Sequence, residues 1–122
     1  WGDAIRLDDE AQMNALTAIS GSGPAYIFHF IEALTNAAEE LGFSTDIASR
    51  LSRQTVIGAA YLAEAEGDTP ARTLRENVTS PAGTTEAGLN ILMNEDGANL
   101  KELIKATTQA ALQRGIELGR KD

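Results

Sequence analysis

Two short stretches gather small, hydroxylated and glycine residues just before helix-forming sequence. They are Ser20-Gly21-Ser22-Gly23-Pro24 and Val78-Thr79-Ser80-Pro81-Ala82-Gly83-Thr84-Thr85. The start of a helix carries free N–H groups and the positive end of its dipole, so it suits an anion. Glycine and short hydroxylated side chains let a ligand touch the backbone. The commoner reading of such stretches is an ordinary helix-breaking turn built from cap and stop residues. Gly21-Ser22-Gly23 is not a dinucleotide fingerprint, which needs a preceding strand and a third glycine in a strand–helix–strand unit. His29 is the only histidine and there is no cysteine, which excludes multi-histidine and thiolate metal sites. A lone helical histidine is more often a packing or surface residue than a general base. Asp8-Asp9-Glu10 and Glu39-Glu40 read as solvated faces, with no spacing for paired-carboxylate chemistry. Ser20, Ser22 and Ser80 have no evident base to activate them as nucleophiles.

The elements that position these stretches read as helices throughout. Residues 1–8 show no clear period and read, with the next two, as a fragment start or linker. Asp8 or Asp9 caps a short helix through Ala11, Met13, Leu16 and Ile19. The run Ser20 to Pro24 is expected to break it, with Pro24 opening the next helix. Ile27, Ile31, Leu34, Ala38 and Leu41 form one apolar stripe, widened by Phe30, Ala33 and Ala37. Gly42 stops that helix. Ser44 or Thr45 caps a third, which runs to about Glu66 with Ile47, Leu51, Ala59, Leu62 and Ala63 on its apolar face. Gly58-Ala59-Ala60 has so little bulk that another helix can pack close there. Thr69-Pro70 reads as a cap and first helical residue, starting a short helix through Leu74. After the Val78–Thr85 stretch comes a fifth helix with Ala87, Leu89, Ile91 and Leu92. A turn over Asn94 to Gly97 precedes a last helix. That helix carries Leu100, Ile104, Thr107, Ala111, Gly115 and Leu118, broadened by Leu103 and Ala110. No segment alternates with period two, so the fold class is all-α.

Composition sets the partners. The chain has 122 residues, one domain's worth, with 43% hydrophobic and only 5% aromatic residues, so Ala, Leu and Ile must build the core. The net charge of −8 disfavours nucleic acid, whose binding needs clustered cations, and anionic membrane surfaces alike. No apolar run approaches the ~20 residues that cross a bilayer. The acidic balance and missing cysteines suit a soluble, cytoplasmic protein. The second and third helices are apolar around much of their circumference and need cover on most sides. In so small a domain a second copy of the chain is the expected cover.

Both stretches resemble segments of the pyrroline-5-carboxylate reductases. Ala15 to Tyr26, through Ser20-Gly21-Ser22-Gly23-Pro24, looks like that family's loop-to-helix segment, and Val78 to Thr85 like its substrate loop. Glu32-Ala33-Leu34 and Leu51 to Ala60 also fit in order and spacing. The similarity spans roughly residues 11–119. It implies a helical C-terminal domain of the 6-phosphogluconate dehydrogenase C-terminal-like type over residues 11–122, which interleaves with a partner copy. The assembly would be a homodimer, or a higher assembly of dimers.

The family's enzymes reduce the C=N bond of 1-pyrroline-5-carboxylate to proline with NADPH or NADH, held by an N-terminal Rossmann domain whose absence here is the expectation. The resemblance implies that Ser80, Gly83 and Thr84 hold the imino acid's carboxylate, within a substrate stretch that also takes in Val78, Thr79 and Pro81. Thr85 would hydrogen-bond the imine nitrogen and assist its protonation. Ser20, Gly21, Ser22, Gly23 and Pro24 would lie near the nicotinamide. Two departures stand out. Ala82 occupies a position that is usually Gly, and a positive φ there would cost about 1 kcal/mol. The family's upstream carboxylate falls at Glu66 or Asp68. No cofactor is expected to bind this chain alone, which is expected to reduce nothing by itself. The competing readings are a helical self-association module without ligand, and the dimerisation domain of another Rossmann-fused dehydrogenase.

Overall fold

The computed structural model describes residues 9–120. Asp8 lies outside the described residues, and of the two expected caps Asp9 is the one observed. Its carboxylate accepts the Gln12 N–H at 2.8 Å and starts helix α1, Glu10–Leu16. A π turn, Thr17–Gly21, carries the chain directly on to α2, Gly23–Glu40. The expected break at Ser20 to Pro24 does not occur. The Thr17 and Ser20 hydroxyls donate to the Met13 and Leu16 carbonyls, and the Ser22 N–H reaches the Thr17 carbonyl at 2.8 Å. These bonds hold a widened turn rather than open it.

Helix α2 ends as its sequence requires. Gly42 takes a φ of 108°, its N–H bonds the Glu39 carbonyl, and the Phe43 N–H bonds the Ala38 carbonyl. That pair of bonds is the Schellman stop, and its left-handed residue favours glycine. Ser44 then caps α3, Thr45–Ala65, through the Ile47 N–H. The next boundary differs from expectation. Pro70, not Thr69, is the N-cap residue of α4, and the helix runs over Ala71–Asn77, past Leu74. Helix α5 spans Thr84–Leu92, so Thr84 and Thr85 belong to its first turn rather than to the loop. Asn99 caps α6, Leu100–Gly119, by accepting the Glu102 N–H at 2.9 Å. There is no strand among the described residues.

The packing inside one chain is sparse. Helices α2 and α3 lie against each other, and α6 lies against α1 and the π turn. Among the described residues only Ala18, Ala48 and Ser52 are buried. The second half of α3 is exposed, including Gly58, Ala59 and Ala60, so the close helix neighbour expected there is not in this chain. The whole chain exposes 9910 Å², where a compact monomer of 12.9 kDa would expose about 6,300 Å². Phe28, Leu41, Ile57, Tyr61 and Ile91 are each more than half exposed. Apolar surface on that scale marks an interaction surface.

Candidate functional site: the turn before α5

The Val78–Thr85 stretch is anchored at both ends. At its start the Val78 N–H bonds the Arg75 carbonyl, and the Thr79 N–H bonds that of Glu76. The Thr79 hydroxyl donates to the Arg75 carbonyl at 2.6 Å, which fastens the stretch to the end of α4. In the middle, Ser80 to Gly83 form a tight turn. Pro81 fills its second position, Ala82 its third with a φ of 58°, and the Gly83 N–H bonds the Ser80 carbonyl at 3.1 Å. This is the type II pattern, whose third residue must take positive φ and is usually glycine. Ala82 therefore holds a left-handed conformation at a cost of roughly 1–2 kcal/mol. The strain expected if this position needs positive φ is present. At the far end the Glu86 carboxylate accepts the Ala82 N–H at 3.1 Å.

Space at Gly83 is tight. A Cβ there would sit 3.2 Å from the Ser80 carbonyl oxygen, so the turn would have to give by a few tenths of an ångström to admit it. Gly83 is also the N-cap residue of α5 and offers no side-chain cap, so the amides of the first helical turn stay open. The Ser80, Thr84 and Thr85 hydroxyls make no hydrogen bond among the described residues, and all three residues are exposed. Open amides, free hydroxyls and a helix N-terminus together can take a carboxylate. Val78 is 63% exposed and Pro81 is exposed beside it.

The remaining predicted positions lie elsewhere. Ser20 spends its hydroxyl hydrogen on the Leu16 carbonyl. Gly21 closes the π turn, Ser22 precedes α2, and Gly23 and Pro24 open it. That region packs with α1, α2 and α6, while the Ser80–Thr85 turn sits between α4 and α5. Within one chain α4 and α5 do not pack extensively against the π turn or α2. Glu66 caps the end of α3, and Asp68 follows in the exposed turn. Neither forms an ion pair among the described residues. His29 meets Glu32 at 3.2 Å on the open surface, as a surface histidine would. A cavity of about 430 Å³ between α5 and the start of α6, lined by Leu89, Leu92, Met93 and Leu100 with Arg75, contains none of the predicted site residues. Sequence reasoning missed the part played by Glu86. An acidic residue three places after Gly83, in the first turn of α5, was the signal.

Comparison with known proteins decides the family. Residues 10–118 match the model described as pyrroline-5-carboxylate reductase dimerisation. The chain belongs to this family. It is 48% identical over 117 residues to the pyrroline-5-carboxylate reductase of Pseudomonas aeruginosa, covering 96% of this chain and 41% of that protein. Among solved structures, a pyrroline-5-carboxylate reductase from Coxiella burnetii superposes with a TM-score of 0.83 at 43% identity, covering 92% of this chain and 40% of that one. The Plasmodium falciparum pyrroline carboxylate reductase, solved with NADP bound, superposes with a TM-score of 0.82 at 33% identity, covering 94% of this chain and 42% of that one. The chain thus spans about two fifths of the length of these relatives. The all-α fold expected of a pyrroline-5-carboxylate reductase dimerisation domain is the fold observed.

Proposed function

We infer that this chain is the dimerisation and substrate-carboxylate part of an enzyme that reduces 1-pyrroline-5-carboxylate to L-proline with NAD(P)H. The observation that carries the reading is the uncapped start of α5, with the unbonded hydroxyls of Ser80, Thr84 and Thr85 around it, in a chain of this family. The open amides and the Ser80 and Thr84 hydroxyls hold the ligand carboxylate. Thr85, one residue into the helix, donates its hydroxyl hydrogen to the imine nitrogen, orients the ring and assists its protonation. NAD(P)H, when bound in the full-length enzyme, would supply the hydride for the imine carbon. Ser20, Gly21, Ser22, Gly23 and Pro24 line the nicotinamide side.

Two copies complete the site. In one chain neither α4 nor α5 packs extensively against the π turn. A partner that interleaves with the exposed half of α3 can bring one copy's turn beside the other's Ser20–Pro24 region. The same partner covers the apolar residues that one chain leaves open.

A chimaera tests this. Residues 10–118 replace the matching segment of the Pseudomonas aeruginosa relative, behind that protein's own cofactor domain. NAD(P)H-dependent reduction of pyrroline-5-carboxylate is the expected result, with Thr85→Ala lowering kcat by roughly 100-fold, the lower end of what a positioned proton donor contributes. A folded, dimeric chimaera without turnover contradicts the reading. So does enzyme-like turnover by the isolated chain.

A further inference from the structure

The Glu86 carboxylate sits in the first turn of α5, on the element that the proposed ligand carboxylate would approach. Two like charges at one helix start should repel each other, so the position of Glu86 needs a reason. The geometry gives one. Glu86 is half-buried, and its Oε2 accepts the Ala82 N–H at 3.1 Å. Ala82 is the one residue of the turn in a left-handed conformation without being glycine. A charged acceptor on its N–H is worth more than a neutral one, and here it offsets strain at the residue that bears it. The carboxylate points back along the chain to residue 82 and leaves the amides of Thr84 and Thr85 uncovered.

We propose that Glu86 is a positioning residue. Its carboxylate clamps Ala82 in the left-handed turn and so presents the Thr84 and Thr85 amides to a carboxylate ligand. The ligand half of this statement rests on the function proposed above. The clamp half stands on the geometry alone. Glu86 therefore touches no substrate; it acts through Ala82, and its effect should vanish once residue 82 prefers positive φ unaided.

The experiment is an NMR titration of the chain with L-proline, together with amide exchange at residue 82. It compares the parent with Glu86→Ala, Glu86→Gln, Ala82→Gly and the double variant Ala82→Gly/Glu86→Ala. Glu86→Ala should speed exchange at the Ala82 amide and weaken proline binding roughly tenfold, the strain of one left-handed residue no longer offset. Glu86→Gln, which keeps an acceptor oxygen, should lie between that variant and the parent. The double variant should bind proline nearly as the parent does, because glycine takes the left-handed turn without steric strain. A loss of fold would not be rescued this way, so the rescue separates positioning from bulk stability. Unchanged exchange in Glu86→Ala overturns the clamp. Tighter proline binding in that variant also overturns it, by showing that the carboxylate only repels the ligand. If the parent binds no proline while the exchange pattern appears as expected, the proposed ligand fails and the clamp survives.

Discussion

Ala82 and Gly83 are neighbours with opposite demands. Ala82 bears a methyl where the backbone prefers none, and Gly83 bears none where a methyl would meet the Ser80 carbonyl oxygen at 3.2 Å. Ala82→Gly should stabilise the protein by about 0.5–1 kcal/mol, the relief of strain less the added freedom of glycine in the unfolded chain. Urea denaturation at fixed protein concentration measures it, and a destabilised variant would show that the turn is not strained. Gly83→Ala should act the other way. It forces Ser80 and Gly83 apart and should abolish detectable L-proline binding, followed by titration, while helix content by circular dichroism stays near that of the parent. These two roles were unequally legible in sequence. A departure from the family's usual glycine drew attention to position 82. The Cβ clash at 83 depends on where the Ser80 carbonyl points, which only the folded turn sets.

At the scale of elements, caps and stops carried the most information. Asp9, Ser44 and Gly42 act where their types and spacing place them, because each satisfies backbone groups locally. The π turn was not legible. Glycine, serine and proline at 20–24 carry a strong breaking signal, but the Thr17 and Ser20 hydroxyls and the packing of α6 against the turn override it. Asn99 shows how much one cap can join. It accepts the Glu102 N–H and donates to the Asn94 carbonyl at 2.8 Å, so it both starts α6 and closes the turn before it. Asn99→Ala should therefore cost about 1–2 kcal/mol, at the upper part of the range for lost caps. Chemical denaturation checks this value. A change below a few tenths of a kcal/mol would mean that water replaces both bonds.

The whole molecule explains what neither residues nor elements could. The periodicity of α2 and α3 told which residues are apolar, and the small run at Gly58-Ala59-Ala60 told where a helix could come close. Neither told which chain supplies that helix, because periodicity marks a face and not its neighbour. In the structure the run is open and only three described residues are buried. Hence Ile57→Asp, at a side chain 57% exposed within one chain, should behave as a core mutation. Burying an unpaired carboxylate costs several kcal/mol, and the variant should elute from size exclusion as an unfolded or dissociated species. Elution like the parent's would remove Ile57 from the contact. Two copies of this chain are expected to form one folded unit. Light scattering at micromolar concentration tests it most directly. The expected mass is twice 12.9 kDa, or a whole multiple of that pair. A helical, cooperatively folded species with the mass of one chain would contradict it.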